Sequence, residues 1–310
     1  MRINSPIAIF CYRRSISQLI DTLLQNIEAS NSDLFIFSDG GKNDHDSADI
    51  HQVREELDAI EGFKSITVYK ASANKGLARS IIQGVSSVLA DYDRVIVLED
   101  DLLVAPYFLR FMNDALEFHQ NNNTIWSISG YSPPLPTLDL YSDNCYLSPR
   151  ASSWGWATWK DRWEQVDWSM RDFNDLKNDR GQVAAFNQGG NDMYLMLELQ
   201  ALGKIDSWAI RWCYSQFKHH TYSVVPKQTL ILNEGFEDGK GVHCNYTTTE
   251  KLARHLHMQP VPVSDVEADQ IILNDWKNFH DLTLYTRLGY GLRKYGGYKL
   301  AKKLIRLLRS

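Results

Sequence analysis

Four short apolar runs, each leaving into polar residues and each separated from the next by a helix-periodic stretch, constrain this chain more than any other feature. They are residues 6–11 (PIAIFC), 34–38 (LFIFS), 66–69 (ITVY) and 94–98 (RVIVL), of buried-strand length and rich in branched or aromatic side chains. Between the first two, residues 15–27 set Ile16, Leu19, Ile20, Leu23, Leu24 and Ile27 at spacings of three and four, and residues 50–60 and 77–89 repeat the pattern more weakly. Strand and helix alternating in that order predict an α/β fold: a mixed, mostly parallel sheet with helices on both faces.

Such sheets bind ligands beyond the carboxyl ends of their strands, where loop amides and helix amino termini converge. The residues at those exits are Tyr12, Arg13 and Arg14; Asp39, Gly40 and Gly41; Asn74, Lys75 and Gly76; and Glu99, Asp100 and Asp101. The last set carries the strongest signal. Three successive carboxylates directly after an apolar strand repel one another in a partly desolvated place, and a bound divalent cation or a proton held at raised pKa relieves them. An oxygen-liganded ion such as Mg2+ or Mn2+ suits that donor set. The competing expectation is that Asp100 or Asp101 caps a helix beginning near Ala105. In the same way Asp39 with its two glycines reads as an ordinary turn, and Asn74 as a helix cap.

The order IFCYRR, FSDGG, NKGLARS, VIVLEDDL resembles the nucleotide-binding half of GT-A fold glycosyltransferases over about residues 5–130, and LEDDLLVAPYFLRFM is similar to the N-acetylglucosaminyltransferase I group, in which an acidic triplet replaces the commoner D-x-D. The resemblance implies a GT-A fold and a role for each matching residue. Asp101 ligates the cation that bridges the donor diphosphate, Asp100 contacts the ribose side with Glu99 in support, Asp39 reads the pyrimidine base, and Arg14 contributes from the first strand exit, with Arg13 as its neighbour. The donor is then a nucleotide diphosphate sugar, a UDP-sugar above others. Charge agrees with this: an acidic pocket holds a diphosphate only through an intervening cation, while Arg14 and Lys75 offer direct donors.

The middle of the chain changes character. Trp126, Trp154, Trp156, Trp159, Trp163 and Trp168 crowd into residues 126–168, and periodicity becomes irregular. Indole rings stack on the C–H faces of sugars, so Trp154 and Trp156, flanking Gly155, are candidates for an acceptor glycan or the donor hexose, whereas Trp159 and Trp163 at helical spacing read as core. Helices are expected over residues 191–202 and 208–217, followed by a strand pair at 222–225 and 229–232. An inverting displacement needs a base for the acceptor hydroxyl. Asp192, after Gly189 and Gly190 and at the start of a helix, is the candidate, with helix capping as its competing role and Asp161, Asp167 and Glu164 as fallbacks. The glycine-rich segment 233–244, with His243 near its end, resembles the loop near the carboxyl end of many GT-A enzymes, and that resemblance implies that His243 completes the metal shell, against the competing reading of a lone histidine that binds nothing; Glu237 and Asp238 are expected to be solvated.

These signals divide the chain into a nucleotide-sugar-binding half (residues 1–130), an acceptor-binding and catalytic half (131–283) and a basic tail (284–310). The tail holds Arg287, Arg293, Lys294, Lys299, Lys302, Lys303, Arg306 and Arg309 with no acid, and residues 298–310 alternate these with Leu300, Leu304, Leu307 and Leu308 as a basic amphipathic helix suited to an anionic membrane surface. A net charge of −5 gives the whole chain no electrostatic reason to bind nucleic acid. Cys11, Cys145, Cys213 and Cys244 form no C-x-x-C pair and read as free thiols of a reducing compartment, and no window has the run of apolar residues of a membrane span. The expectation is a cytoplasmic enzyme, peripheral on the inner face of the membrane, that passes a hexose or N-acetylhexosamine to a glycan or lipid-linked glycan in bacterial surface polysaccharide assembly, with inversion. The alternatives are a retaining transferase of the same fold and a non-catalytic carbohydrate-binding or assembly protein. A nucleotidyltransferase would want a phosphate-cradling glycine loop after the first strand, where there is none.

Overall fold

The computed structural model describes residues 4–235, 255–295 and 297. His243, Glu237, Asp238, Cys244 and the amphipathic stretch 298–310 lie outside them.

The expected alternation is present: β1 (Ile7–Cys11), α1 (Ser17–Leu24), β2 (Asp33–Ser38), α2 (Ser47–Asp58), β3 (Ser65–Lys70), α3 (Leu77–Asp91) and β4 (Arg94–Glu99). Then come β5 (Leu102–Val104), α4 (Phe108–His119), β6 (Ile125–Ser129), β7 (Cys145–Ser148), β8 (Trp156–Trp159), α5 (Lys160–Trp163), α6 (Phe173–Asn178) and α7 (Arg180–Phe186). The described chain closes with α8 (Met193–Ala201), α9 (Trp208–Lys218), β9 (Tyr222–Pro226), β10 (Ile231–Asn233), α10 (Gln270–Phe279) and α11 (Leu284–Lys294).

Eight strands form one sheet in the order β3-β2-β1-β4-β8-β6-β9-β7. The first four are parallel, β8 runs antiparallel between β4 and β6, and β6 and β9 are parallel again before an antiparallel β7 edge. The fold class is therefore α/β with a mixed, mostly parallel sheet. Alternation along each strand feeds two cores. Ile7 and Ile9 of β1 and Ile96 and Leu98 of β4 face the side covered by α1, α2 and α4, while Ala8, Phe10, Val95 and Val97 face α3 and α9. The runs are apolar on both faces because both faces are covered.

The tryptophans explain the second core. Trp126, Trp156, Trp163, Trp168, Trp208 and Trp212 stack among themselves with ring centroids between 4.7 and 6.5 Å apart. Each such ring buries on the order of 150–250 Å², which at about 25 cal/mol per Å² is roughly 4–6 kcal/mol of transfer free energy apiece. Trp159 and Trp163 are core as expected, but not on one helix. Trp159 ends β8 and packs on the α4 side, Trp163 ends α5 on the α9 side, and the sheet separates them.

The expected pair of strands after α9 does not pair with itself. β9 enters the large sheet, whereas β10 forms a separate two-stranded antiparallel ribbon with β5, Leu232 opposite Leu103. Cys11, Cys145 and Cys213 are buried free thiols; burial pushes them up to about 12, about 12 and about 11, so they act as small apolar residues. Among the described residues no helix is long and apolar enough to cross a membrane. At the start of the basic tail, Lys294 of α11 reaches back to the buried Glu198 of α8 at 2.8 Å.

Candidate functional site

The exits of β1 and β4 are neighbours because those strands pair in parallel, Phe10 opposite Glu99. That register brings Arg14 to the acidic triplet: its guanidinium lies 3.6 Å from an oxygen of Asp100 and 3.6 Å from an oxygen of Asp101. The backbone amide of Tyr12 donates to Asp100 Oδ2 at 3.0 Å. Neither aspartate caps α4, because β5 intervenes and the helix starts only at Phe108. Burial, and then the charges of Asp101 and Asp100, push the Glu99 carboxyl well above its ordinary value. The triplet is thus a place of excess negative charge that one arginine only partly offsets.

A further side of this place comes from far along the chain. The β10–β5 ribbon carries Glu234 and Gly235 over the triplet: the Glu234 amide donates to the Asp101 carbonyl at 2.8 Å, and the Gly235 amide is fixed by Asn233 Oδ1 at 2.8 Å. A Cβ at Gly235 would stand 2.4 Å from Asp101 Oδ2, so a larger residue there would require that carboxylate to move from its present place. Sequence reading marked the glycine-rich segment beginning at 233 but not this contact, which depends on a strand pairing more than a hundred residues apart.

Oxygen donors in this number and charge suit a hard divalent cation. Among the described residues no group of three His, Cys, Asp or Glu side chains is arranged to hold a metal ion. Asp101 and Asp100 could therefore supply only part of a shell, leaving the rest to the ligand's own oxygens.

Asp39 sits one strand over and is nearly buried, at 8% exposure. Its carboxylate accepts from the amides of Gly40 and Lys75 at 2.8 Å each, from the Gly76 amide at 3.0 Å and from the Asn74 side chain at 3.0 Å. A carboxylate has about four lone-pair directions, and all four are filled. Asp39 is the knot that ties the β3–α3 loop to the β2 exit; reading a pyrimidine base would require that loop to open. Asn74 serves the same knot and does not cap α3, whose N-cap is Gly76. Lys75 contributes its amide there and leaves its side chain exposed at the rim. Two partners escaped the sequence reading. Asp46 accepts from the Tyr12 hydroxyl at 2.5 Å and from Arg13 at 2.8 Å, and Arg54 bonds the carbonyls of Ser38, Asp39 and Ala71 behind the β2 and β3 exits.

The two candidate tryptophans are placed differently. Trp156 is 1% exposed and stacks on Trp208 at 4.9 Å inside the second core, so it cannot meet a substrate; as the first residue of β8 it points with the strand's core face. Trp154, two residues earlier, is only half-buried, packs edge-on to Tyr131 at 4.5 Å and precedes the strand whose Trp156 pairs with Val97, close to where the triplet begins.

Asp192 is not assembled with the triplet. Arg150, anchored by Ser148 at the end of edge strand β7, grips it with two bonds of 2.7 and 3.0 Å. β7 stands four strands from β4 in the sheet, on the order of 19 Å at roughly 4.8 Å per strand. Burial alone would raise the Asp192 carboxyl, but the guanidinium overrides it and holds the group below its ordinary value, which makes a poor proton acceptor. The helix-capping alternative fails too, since its side chain makes no cap bond. Gly189 and Gly190 pack against Met193, Arg150 and His280 of this same chain rather than framing a ligand. Of the fallbacks, Asp161 is bound by Arg162 and Asp167 by Ser169 and Arg171.

No protein-family model matches the sequence, and no curated protein matches it. Among solved structures the chain is similar to a UDP-glucose pyrophosphorylase in complex with UDP-glucose, at 11% sequence identity and a TM-score of 0.34, over 72% of this chain and 90% of that chain.

Proposed function

We propose that this chain is a glycosyltransferase of the GT-A kind, which moves a hexose or N-acetylhexosamine from a nucleotide diphosphate sugar, a UDP-sugar above others, to a hydroxyl of a glycan or lipid-linked glycan. One observation carries the reading: the Arg14 guanidinium lies 3.6 Å from both Asp100 and Asp101 at the paired exits of β1 and β4, under the close backbone of Gly235. A mixed charge set of this kind at the carboxyl edge of a parallel sheet suits a polyanion that arrives with a cation.

In this reading Asp101, with Asp100, holds manganese or magnesium. The ion supplies neutralisation of the diphosphate and stabilisation of it as a leaving group. Arg14 donates to a phosphate oxygen and, while the site is vacant of nucleotide, keeps the two carboxylates from repelling each other. Burial and the charges of Asp101 and Asp100 push the Glu99 carboxyl well above its ordinary value, which lessens the negative charge it brings to the pocket floor. Trp154 offers a ring face near the sugar. The membrane-facing role of residues 298–310 and a metal-completing role of His243 belong to the proposal as well.

Transfer with inversion then needs a base other than the Arg150-bound Asp192, such as Glu164, whereas the alternative, retaining transfer, would let the acceptor proton pass to the departing phosphate oxygen. The test is a screen of nucleotide sugars by thermal shift with and without manganese, followed by product anomer analysis with the best donor. A ligand bound only by the native state raises its stability by RT ln(1 + [L]/Kd), about 2.7 kcal/mol at a hundredfold excess over Kd. Stabilisation by a nucleotide sugar that requires manganese and vanishes in Asp101→Ala is expected; stabilisation indifferent to Asp101 overturns the assignment.

A further inference from the structure

Beside the strand exits, along the outer flank of the sheet, runs an open cleft of about 360 Å³ that has Asp39 and Lys75 at one end and, along the rest of its lining, residues to which the transfer reading gives no role. Its volume lies within the roughly 300–1,000 Å³ of small-ligand sites. Its floor is aromatic. Phe37 and Tyr69 line it and continue a ladder that begins at the buried Phe10, across β1, β2 and β3, each ring stacked on the next at 4.9 Å with planes within 10° of parallel. The ladder ends at the edge strand, so its last ring, Tyr69, is 47% exposed.

The wall is helix α3, and Gly84 explains why the helix lies so low over the ladder: a Cβ there would stand 2.5 Å from Phe10 and 3.2 Å from Phe37. On the face of α3 turned to the cleft stand Ser80, Gln83 and Ser87, at helical spacings of three and four. The side chains of Ser80 and Gln83 and the Tyr69 hydroxyl bond no other group among the described residues. Lys70 at the rim is neutralised by two bonds to Asp58, at 2.6 and 2.7 Å.

We propose that this cleft binds a neutral pyranose ring, as an accessory carbohydrate site separate from the acidic triplet. The chemistry matches on both sides. A sugar presents an apolar C–H face, which an offset aromatic ring accepts, and a rim of hydroxyls that both donate and accept, which Ser and Gln side chains answer in both senses. Lys70 is neutralised and Lys75 at one end of the lining stands beside the Asp39 carboxylate, so the cleft carries no cluster of positive charge for an anion, and an apolar ligand would leave the Ser80 and Gln83 side chains unanswered. The proposal does not depend on the chain being a transferase.

The test is saturation-transfer NMR on the full chain with the methyl glycosides of glucose, galactose, mannose and N-acetylglucosamine, each with and without UDP and manganese. Expected is transfer to the ring C–H protons of at least one glycoside, unaffected by UDP and manganese, with affinity lost at least tenfold in Tyr69→Ala, kept in Tyr69→Phe and reduced several-fold in Gln83→Ala. Gln83 is exposed on α3, so its variant reports even if Tyr69→Ala folds poorly. No transfer to any of the four, transfer indifferent to both alanine variants, displacement by UDP, or uridine binding at Tyr69 in place of the glycosides each overturns the proposal.

Discussion

At the scale of single residues, the distinction that matters is between a carboxylate made available and one already spent. Asp192 is spent. Removing one partner of a buried, hydrogen-bonded ion pair leaves the other charge uncompensated, at a cost of about 3–5 kcal/mol, so Asp192→Asn should lower stability by that order, measured by urea denaturation. Its folded pKa lies below the ordinary 3.8, so the unfolded state binds the proton more readily in acid. The pair's contribution is therefore present above about pH 4 and lost as pH falls through the folded value, and the acid limb of the stability curve should flatten in Asp192→Asn. A variant that folds as well as the parent but loses turnover would restore Asp192 as a base. Gly235→Ala should behave oppositely, with stability nearly kept and metal-dependent donor binding weakened tenfold or more, because the new methyl displaces the Asp101 carboxylate. The meeting of Arg14 with Asp100 and Asp101 was legible in the sequence because parallel strands place their exits side by side at one edge of the sheet. The commitments of Asp192 and Asp39 were not, since a hydrogen bond's second partner is set by tertiary packing and leaves no local trace.

At the scale of elements, the first four strands and three helices follow from periodicity because each is apolar on the faces it buries. Legibility fades from residue 126 onward, where β8 and β10 take partners far off in sequence, β4 and β5 respectively. A short strand with mixed aromatic content cannot announce which sheet it joins, and Trp156 was misjudged for that reason. Two predictions belong here. Gly84→Ala forces Phe10 and Phe37 from their stack, and overpacking of this kind costs about 1–3 kcal/mol, readable as a lowered urea midpoint with unchanged slope. His119, at the end of α4, is 1% exposed, and burial holds it below its ordinary 6.5 against the pull of Asp265. Its stabilising contribution is thus present above pH 6.5 and lost as pH falls through the folded value. Stability should rise between pH 5 and 7, and His119→Phe should remove part of that slope; a parallel slope in the variant would place the titration elsewhere.

At the scale of the whole molecule, the sequence divides near residue 130 but the sheet does not. β4 is the last strand of the first half, and its free edge is closed by β8, whose Trp156 and Trp159 pair with Val97 and Arg94 from the second half. Phe108, Leu109 and Met112 of α4 share a core with Ala157, Val224 and Ile231, so each half leaves apolar surface that only the other covers. Residues 1–130 alone would present β4 as a long apolar edge, the arrangement that invites aggregation. The expectation is that this fragment does not fold as a soluble unit, and that in the full chain tryptophan fluorescence, which reports the second core, loses structure at the same urea concentration as hydrogen exchange at β1 to β3 amides. Coincidence of probes is the mark of one cooperative unit. Two separated transitions, or a folded 1–130 fragment, would mean that the nucleotide-facing edge can form without the sheet's other half; the Gly235 contact with Asp101 would then be a docking event between two stable bodies rather than part of what folds the site.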